Sequence, residues 1–461
     1  MPVPRDRSPP GSQPRRKGAG RPTRFRWVIV ALLCAVAFVL YIDRINIQVA
    51  GLPMQKEFEL SDRLLGSLWS AFFFGYAIGL VPGGWLADRF GAHRVLTVAA
   101  VFWGLITIAT GATRPFELFG LHISPAPIFC VLRFLLGVCE ACAFPTFSRA
   151  LANWMRRSER AQASGWIHGG SGLGGAFTPV FVQLVIQWAG WRQAFAISGL
   201  LTFAVAALWW RIAADRPAEH PRVSHEEARW IAAEREETYD QPVDRAWYGR
   251  LVRSRSIWLL CASEFFYGLT GFVFLTWFYK YFVEVRGAEE LDSATMTSTN
   301  YLAMAVGATI GGFLCDRSVK RFGGPWGRRL IPLVTITASG LCSMTAPAVA
   351  SDVLAAGLFA LAAGLMFTAA SGFWSTLIDI TRRGTGLVGG VMNGSGSLGT
   401  AVGTVYFATL YQQVGWQHAL QIGGLMGIVS GLLWLGIDAS QQIDIPQTPS
   451  PYPAAPPTDE N

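Results

Sequence analysis

The most constraining feature of this sequence is a series of apolar stretches, each about 20 residues long, that recurs between residues 27 and 437. A stretch of this length can cross a hydrocarbon core of about 30 Å as a helix. Only 15% of the residues are charged, against about 25% in an ordinary soluble domain. The sequence therefore predicts an all-α integral membrane protein, because a membrane β-barrel has alternating segments of about ten residues instead.

Twelve such stretches predict twelve transmembrane helices. Numbered spans 1 to 12 below, they are residues 27–50, 63–84, 95–112, 127–150, 161–187, 193–212, 256–282, 295–315, 330–350, 353–379, 386–411 and 418–437. The longest hydrophilic segment, residues 213–255, contains a helix-like stretch at 224–237 and is interpreted as a cytoplasmic linker. It separates an N-terminal bundle of six helices, residues 27–212, from a C-terminal bundle at 256–438. We expect the tails, 1–26 and 439–461, to be disordered because they are rich in proline and polar residues.

Arginine and lysine concentrate in alternate loops, and this distribution predicts the orientation. After spans 2, 4, 8 and 10 the loops carry Arg89, Arg94, Arg156, Arg157, Arg160, Arg317, Lys320, Arg321, Arg328, Arg329, Arg382 and Arg383. Positively charged loops remain in the cytoplasm. Both termini are therefore predicted to be cytoplasmic, in a multi-pass protein of the cell membrane, specifically the bacterial inner membrane. The net charge of +8 is attributed to topology, and no nucleic acid partner is predicted.

Two sequence motifs recur at nearly one offset and indicate that the halves are repeats. Gly83-Gly84-Trp85-Leu86-Ala87-Asp88-Arg89 matches Gly311-Gly312-Phe313-Leu314-Cys315-Asp316-Arg317, with an offset of 316 − 88 = 228. Gly190-Trp191 matches Gly415-Trp416, with an offset of 416 − 191 = 225. Transporters built from parallel repeats bind substrate near the midplane between the halves. The sequence predicts two pseudo-symmetric bundles with the site between them.

The first repeated motif also predicts conformational gating. Asp88, Arg89, Asp316 and Arg317 fall at cytoplasmic helix ends, where ion pairs across the loop can hold one conformation and release in another. The alternative is a static turn whose charges only set the topology.

The repeated motif resembles the loop motif of the major facilitator superfamily. Three segments are similar to its anion:cation symporter family: Tyr41-Ile42-Asp43-Arg44-Ile45-Asn46, Ser70–Tyr76, and Arg133–Ala141 followed by Phe144-Pro145. The resemblance covers about residues 27–437 and implies organic-anion transport, with residues matching Asp43 and Glu140 acting in proton coupling. The chain departs from the family where a proline often ends span 7, since it reads Trp277-Phe278-Tyr279-Lys280.

Four ionisable residues fall near the middle and the outer half of the membrane within predicted spans, where each costs about 2.5–3.5 kcal/mol to insert. They are Asp43, Arg44, Arg133 and Glu140. Arg133 and Glu140 are seven residues apart, which is two helical turns or about 10.5 Å along one face, too far to pair directly. This geometry is typical of a cavity wall. The alternative is that the charges pair across helices and only fix the packing.

Two arginines indicate an anionic substrate, because guanidinium binds carboxylate through two parallel hydrogen bonds. Arg44 and Arg133 are predicted to bind it. A carboxyl group in a dry site changes its proton affinity as the site is wetted or sealed. Glu140, near the middle of its helix, is therefore the favoured proton carrier. Asp43 either takes part in proton coupling or orients Arg44.

The repeat adds a pair of polar residues, since the offset 393 − 168 = 225 matches His168 with Asn393. Pseudo-symmetry is expected to direct both at the cavity. Asn393 is predicted to hydrogen-bond the substrate. His168 has three alternatives: binding substrate, relaying protons, or a hydrogen bond within the helix packing.

Other polar residues in the spans complete the predicted site. Tyr41, Tyr76 and Ser371 are predicted to contact substrate, with interfacial anchoring as the alternative for Tyr41. Glu264, early in span 7, is left without a role: it either faces the cytoplasmic vestibule or pairs with a loop arginine.

Together these features predict a secondary active transporter that imports a small organic anion by proton symport with alternating access. Sugar acids, such as hexuronates, aldonates or aldarates, are the first expectation. The alternatives are an exchanger of phosphorylated metabolites, a carrier of other carboxylates such as phthalate or tartrate, and a non-transporting membrane sensor. No metal-ligand cluster, nucleotide loop or nucleophile constellation is found in the sequence, so no enzyme activity, metal or cofactor is predicted. The expected partners are the anion, protons and the bilayer, with the protein as a monomer.

Overall fold

The fold is described by a computed structural model that covers residues 23–118, 121–233, 245–381, 385–441 and 443. Nearly all of these residues are helical, which confirms the predicted all-α membrane architecture. A short β-hairpin is also present, in which β1, Phe116–Leu118, pairs antiparallel with β2, Leu121–Ile123. The predicted tails, 1–26 and 439–461, lie mostly outside the described residues, as does the end of the helix expected at 224–237.

In the described part of the N-terminal half, seven helices form six membrane spans. They are α1 (Phe25–Phe58), α2 (Asp62–Phe90), α3 (Ala92–Ala112), α4 (Pro125–Ala141), α5 (Ala143–Trp154), α6 (Arg157–Ala189) and α7 (Trp191–Ile212). Helices α4 and α5 follow one another with only Cys142 between them, and together they form the predicted span 4.

The linker and the C-terminal half continue in the same way. Their helices are α8 (His225–Ala233), α9 (Arg245–Arg253), α10 (Arg255–Phe272), α11 (Phe278–Lys280), α12 (Glu290–Phe322), α13 (Gly324–Thr345), α14 (Asp352–Thr368), α15 (Ala370–Thr381) and α16 (Thr385–Leu433). Two π-helical segments, Val273–Trp277 and Tyr281–Val285, flank α11, and α10 to Val285 form one continuous span.

Among the described residues, eleven helices or helix runs are long and apolar enough to cross a membrane, and the eleventh, Gly386–Gly436, is long enough for two crossings. It is interrupted at Gly415, whose φ of 81° and ψ of 159° are non-helical. Gly190, with φ 90° and ψ 165°, separates α6 from α7 in the same manner. Glycine adopts such positive φ values without the strain that a side chain adds. The Gly-Trp pair thus marks a turn between two helices in each half. Because the turn at Gly415 divides the eleventh run into two, the described residues form twelve spans.

Glycines allow helices to cross closely within each half. A Cβ atom at Gly75 on α2 would lie 2.1 Å from the carbonyl oxygen of Phe134, and one at Gly137 on α4 would lie 2.1 Å from that of Phe72. In the C-terminal half, a Cβ at Gly307 on α12 would lie 2.0 Å from the Gly364 oxygen on α14. Small residues at such crossings are a general device of membrane helix packing.

The linker helix α8 is attached to the N-terminal half through a buried acid. Glu227 is fully buried and accepts a hydrogen bond from Arg26 at 2.8 Å. Arg26 also pairs with Glu159 at the start of α6, at 2.9 Å. This network joins α1, α6 and α8 at the membrane side that carries the arginine-rich loops.

Hydrogen bonds between the two halves cluster towards the opposite side of the bundle. The Gln48 amide donates to the backbone oxygen of Phe274 at 3.1 Å, and the Tyr301 hydroxyl donates to Gln48 at 3.2 Å. The Tyr279 hydroxyl donates to Gln183 at 2.9 Å. The halves are therefore joined in the parts of α1, α6 and α11–α12 that lie away from the arginine-rich loops.

Candidate functional site

The interior of the N-terminal half holds an ion pair between α1 and α4. Arg44 donates from Nε to Oε2 of Glu140 at 2.9 Å. The Glu140 side chain is fully buried, whereas 17% of the Arg44 side chain is exposed. The other Glu140 oxygen, Oε1, and the Arg44 Nη2 atom have no hydrogen-bond partner among the described residues. The pair is therefore incompletely satisfied and leaves a donor and an acceptor for other groups.

Arg133 and Asp43 lie deeper, within the packing of the N-terminal half. The buried Arg133 guanidinium donates to the backbone oxygens of Asp43 at 3.5 Å and of Arg44 at 3.2 Å. Asp43 is fully buried and accepts a hydrogen bond from the Thr202 hydroxyl on α7. In this conformation Arg133 supports the backbone of α1, and the Asp43 carboxyl points into the N-terminal half. A direct substrate contact by Arg133 and proton coupling by Asp43 stay predictions.

Three aromatic rings surround the Arg44 guanidinium. Its carbon Cζ lies 5.0 Å from the centre of the Tyr41 ring, 5.2 Å from that of Phe72 and 4.9 Å from that of Tyr76. Such cation–π contacts are strongest where water is excluded. The centre of the Phe72 ring also lies 5.0 Å from Cζ of Arg133. Arg44, Glu140, Tyr41, Phe72 and Tyr76 are called the Arg44 site below.

The Arg44 site faces the other half of the molecule. Tyr41, Arg44 and Gln48 are spaced by three and four residues, so they share one face of α1. Gln48 reaches Phe274 and Tyr301, which belong to the C-terminal half. The same face therefore directs the exposed part of Arg44 towards the boundary between the halves. This arrangement agrees with a contact of Tyr41 and Tyr76 with substrate, which stays a prediction.

The repeat pair consists of His168 on α6 and Asn393 on α16. His168 is exposed on α6, with Nδ1 2.9 Å from the Ser164 carbonyl oxygen and its ring 5.5 Å from that of Phe144. Asn393 is half-buried on α16. The hydrogen bond of His168 to its own helix matches the packing alternative. Among the described residues no hydrogen bond or ion pair joins either side chain to Arg44, so their substrate roles stay predictions.

Ser371 lies at a contact between helices of the C-terminal half. A Cβ atom at Gly312 on α12 would be 3.7 Å from its Oγ, which places Ser371 against the α12–α15 interface. Within the part of the chain that the structure describes, no hydrogen bond joins it to the Arg44 site. A role in substrate binding stays a prediction.

The predicted gating residues lie at the membrane side that carries the arginine-rich loops. Asp88 pairs with Arg149 at 3.7 Å, and Asp316 pairs with Arg328 at 3.8 Å. Arg89 lies instead over the ring of Trp85 on its own helix, at 5.4 Å. Arg317 is exposed. The acidic member of each motif is thus paired, but with an arginine outside the motif, and gating by these pairs stays a prediction.

Sequence reasoning missed a buried cation at the sealed side. The Lys280 side chain is 2% exposed, and its Nζ lies 2.7 Å from Glu284, 3.1 Å from Asp62 and 2.7 Å from the Gln55 amide oxygen. Asp62 and Gln55 belong to the N-terminal half, so Lys280 bridges the halves. The feature that could have identified it is a lysine within an apolar span. The sequence analysis noted this segment, Trp277–Lys280, only because it lacks the proline that is frequent in the family.

These observations agree with comparisons to known proteins. The sequence profile of the Major Facilitator Superfamily matches residues 33–378. The chain belongs to this superfamily. It is therefore a multi-pass transporter rather than an enzyme, and within the described residues no group of three or more His, Cys, Asp or Glu is arranged to hold a metal.

Relatives within the superfamily confirm the resemblance to anion transporters. A probable sulfoacetate transporter of Cupriavidus necator is 33% identical over 423 residues, covering 91% of this chain and 96% of the relative. A probable galactarate/D-glucarate transporter of Escherichia coli is 31% identical over 394 residues, covering 82% and 86%.

Two solved transporter structures have the same fold as this chain. A bacterial homologue of the human lysosomal transporter spinster, in an inward-facing and occupied conformation, has a TM-score of 0.71 at 16% identity and covers 91% of this chain and 98% of its own. A D-xylose–proton symporter has a TM-score of 0.67 at 16% identity, with coverages of 91% and 99%. At these identities the likeness establishes the fold alone.

Proposed function

We propose that the protein imports a small organic anion together with protons, across the bacterial inner membrane, by alternating access. The observation that carries this proposal is the Arg44–Glu140 pair. The Arg44 guanidinium binds the buried acid, and its partly exposed side faces the boundary between the halves. Relatives named for sulfoacetate and for galactarate or D-glucarate support an anion with one or two acidic groups.

The shared guanidinium provides a physical route to coupling. When a substrate carboxylate or sulfonate binds Arg44, it competes with Glu140 for the same positive charge. A buried carboxylate without its counterion is strongly disfavoured, so Glu140 then binds a proton. When the anion leaves, Arg44 returns to Glu140 and the proton is released. Anion and proton therefore bind together and leave together.

The environment of Arg44 favours organic anions over phosphorylated metabolites. A phosphate dianion is best stabilised by two or more cations, and Arg133 is occupied by backbone oxygens of α1 in this conformation. A single, partly exposed guanidinium with three aromatic rings suits one acidic group beside a carbon skeleton. Hydroxyl groups of a sugar acid would find Tyr41 and Tyr76 next to the guanidinium.

The conformation fits an inward-facing state. If the arginine-rich loops are cytoplasmic, then both termini are cytoplasmic and the bonds made by Gln48, Tyr279 and Lys280 seal the external side. Substrate would enter from outside only after these contacts break. In this orientation substrate would leave the Arg44 site towards the cytoplasm.

The test is uptake of labelled sulfoacetate and D-glucarate into proteoliposomes under an imposed pH gradient. We expect accumulation to rise about tenfold per pH unit for each coupled proton, because one pH unit corresponds to a tenfold ratio of proton activity. Glu140→Gln is expected to abolish the accumulation that the pH gradient drives while keeping exchange of labelled for unlabelled anion.

A matched control is Glu57→Gln, which removes an acid that pairs with Arg192 within the N-terminal half, on the sealed side. It should accumulate anion as the unmodified protein does. Accumulation that does not change with the imposed pH gradient would contradict proton coupling. Failure to bind or transport both anions would contradict the substrate class, and unchanged accumulation by Glu140→Gln would remove Glu140 from the mechanism.

A further inference from the structure

Glu264 on α10 is an acid within a membrane span that the transport mechanism above does not use. Its Oε2 atom is buried and has no hydrogen-bond partner among the described residues. No ion pair involving Glu264 is found in that part of the chain either. A carboxyl group in this setting requires an explanation, because ionisable residues inside membranes are rare and are usually functional.

The neighbouring helix provides space for this carboxyl group. A Cβ atom at Gly396 on α16 would lie 2.8 Å from the Glu264 Cγ and 3.2 Å from its Oε1. Only glycine at this position lets the side chain lie against α16 without displacement. The preceding Ser395 hydroxyl donates to the backbone oxygen of Cys261 at 2.9 Å, so it is already engaged.

The helices around Glu264 supply no compensating positive charge. Helix α16 contains no Asp, Glu, Lys or Arg. Helix α15 contributes only Asp379, which pairs with Arg328 at 2.7 Å. On α10 itself the nearest titratable groups are Cys261 and Tyr267, whose hydroxyl donates to the Met366 oxygen at 3.2 Å.

The arginines of α9 are remote along the axis. They are Arg245, Arg250 and Arg253, and α9 ends just before α10 begins at Arg255. Glu264 is nine residues further on, which is about 13.5 Å along a helix. Glu264 is half-buried, and among the described residues no cation pairs with its buried oxygen, so the ionised carboxylate lacks a counterion and is disfavoured.

The repeat shows that this acid is peculiar to the C-terminal half. Gly174 and Gly399 are matching glycines of the repeat. A Cβ atom at Gly174 would lie 2.3 Å from the Phe38 oxygen, and one at Gly399 would lie 2.0 Å from the Phe265 oxygen. Phe38 and Phe265 therefore occupy equivalent positions, with an offset of 265 − 38 = 227. The same offset matches Glu264 with Ala37 and Arg44 with Gly271. At these matched positions the C-terminal half has an acid where the N-terminal half has an alanine, and a glycine where the N-terminal half has Arg44.

We propose that Glu264 is a second proton-binding site, carried by the C-terminal half of the transporter. The step is a proton transfer only: a proton delivered by water forms an O–H bond with the carboxylate, and the same proton returns to water when the site is hydrated. This inference rests on the proposed symport. With one proton on Glu140 and one on Glu264, an anion with two negative charges crosses without net charge.

The deciding experiment is infrared spectroscopy of the full-length protein in lipid nanodiscs, without substrate. At neutral pH, the difference between the unmodified protein and Glu264→Gln is expected to contain the C=O stretch of one protonated carboxyl group. Raising the pH should remove this band, and returning to neutral pH should restore it. Glu264→Asp should keep a shifted band, since it retains a carboxyl group at the same position.

Glu57→Gln is the matched control, because Glu57 is paired with Arg192 and is expected to be ionised. Its difference spectrum should lack the protonated band. If Glu264→Gln removes only carboxylate bands, Glu264 is ionised and the proposal is wrong. The infrared measurement does not depend on transport. Absence of anion uptake would contradict the proposed function, but the protonation state of Glu264 would still be known from the spectrum.

Discussion

At the scale of single residues, Arg44 and Arg133 have different surroundings and should respond differently to substitution. Arg44 pairs with Glu140 and is partly exposed, whereas Arg133 is buried and donates to two backbone oxygens of α1. Lysine cannot reproduce the planar fork of guanidinium. Arg44→Lys is therefore expected to raise the apparent KM for anion uptake about tenfold or more, with little change in thermal stability. Uptake kinetics and melting temperature of the purified protein measure both quantities.

Arg133→Lys is expected to show the opposite pattern. Loss of hydrogen bonds from a buried charged group costs about 1.5–3 kcal/mol, so the melting temperature should fall more than in Arg44→Lys. The residual uptake should keep nearly the original KM. If Arg133→Lys instead raises KM without loss of stability, Arg133 contacts the substrate in a conformation other than this one.

The charged residues themselves could be predicted from sequence, but their partners could not. The insertion cost of Asp43, Arg44, Arg133 and Glu140 indicated that all four lie inside the protein, and the structure buries three of them almost completely. The pairing of Glu140 with Arg44 depends on how α1 crosses α4. The placement of both helices depends on glycine contacts of α4 with α2 and of α1 with α6, and helical periodicity within one segment does not contain this information.

At the scale of elements, the α2–α4 crossing positions the Arg44 site. Gly75 and Gly137 each approach a carbonyl oxygen of the other helix, and one of those oxygens belongs to Phe72, whose ring contacts both arginines. Gly137→Ala is expected to destabilise the protein by about 1–3 kcal/mol, the usual cost of overpacking. It should also weaken anion uptake, because displacement of Phe72 disturbs Arg44. Thermal unfolding and uptake assays of the variant measure the two effects.

The matched control for this prediction is Gly169→Ala on α6, since a Cβ atom there would meet nothing within 4 Å. It should leave both the melting temperature and uptake unchanged. Equal stability of the two variants would contradict the close α2–α4 contact.

Helix positions followed from apolar length, whereas their interruptions depended on local detail. The glycine turns at Gly190 and Gly415 were visible as a repeated Gly-Trp pair, and both have positive φ. The break at Cys142 and the π-helical segments at Val273–Trp277 and Tyr281–Val285 were not predicted. These interruptions leave the long apolar stretch of each span intact, so hydropathy does not locate them.

At the scale of the whole molecule, the repeat predicted two similar halves but not the end at which they meet. A transporter uses one sequence for both its inward-facing and its outward-facing state, so the sequence cannot select one of them. The contacts that select this state join residues far apart in the chain, such as Gln48 with Tyr301 and Lys280 with Asp62. These contacts define a seal whose removal should change the balance between states.

Lys280→Gln is expected to shift that balance towards opening on the sealed side. The variant removes the positive charge that bridges α11 to Asp62, and a shift of about 1.4 kcal/mol changes the ratio of states tenfold. Hydrogen–deuterium exchange should become faster around residues 55–62 and 277–285, and slower around residues 162–172 on the opposite side as that side closes. Glu57→Gln breaks an ion pair on the sealed side that lies within one half, so it should accelerate exchange only locally. If Lys280→Gln likewise gives only local acceleration, Lys280 stabilises its own helix and does not hold the two halves together.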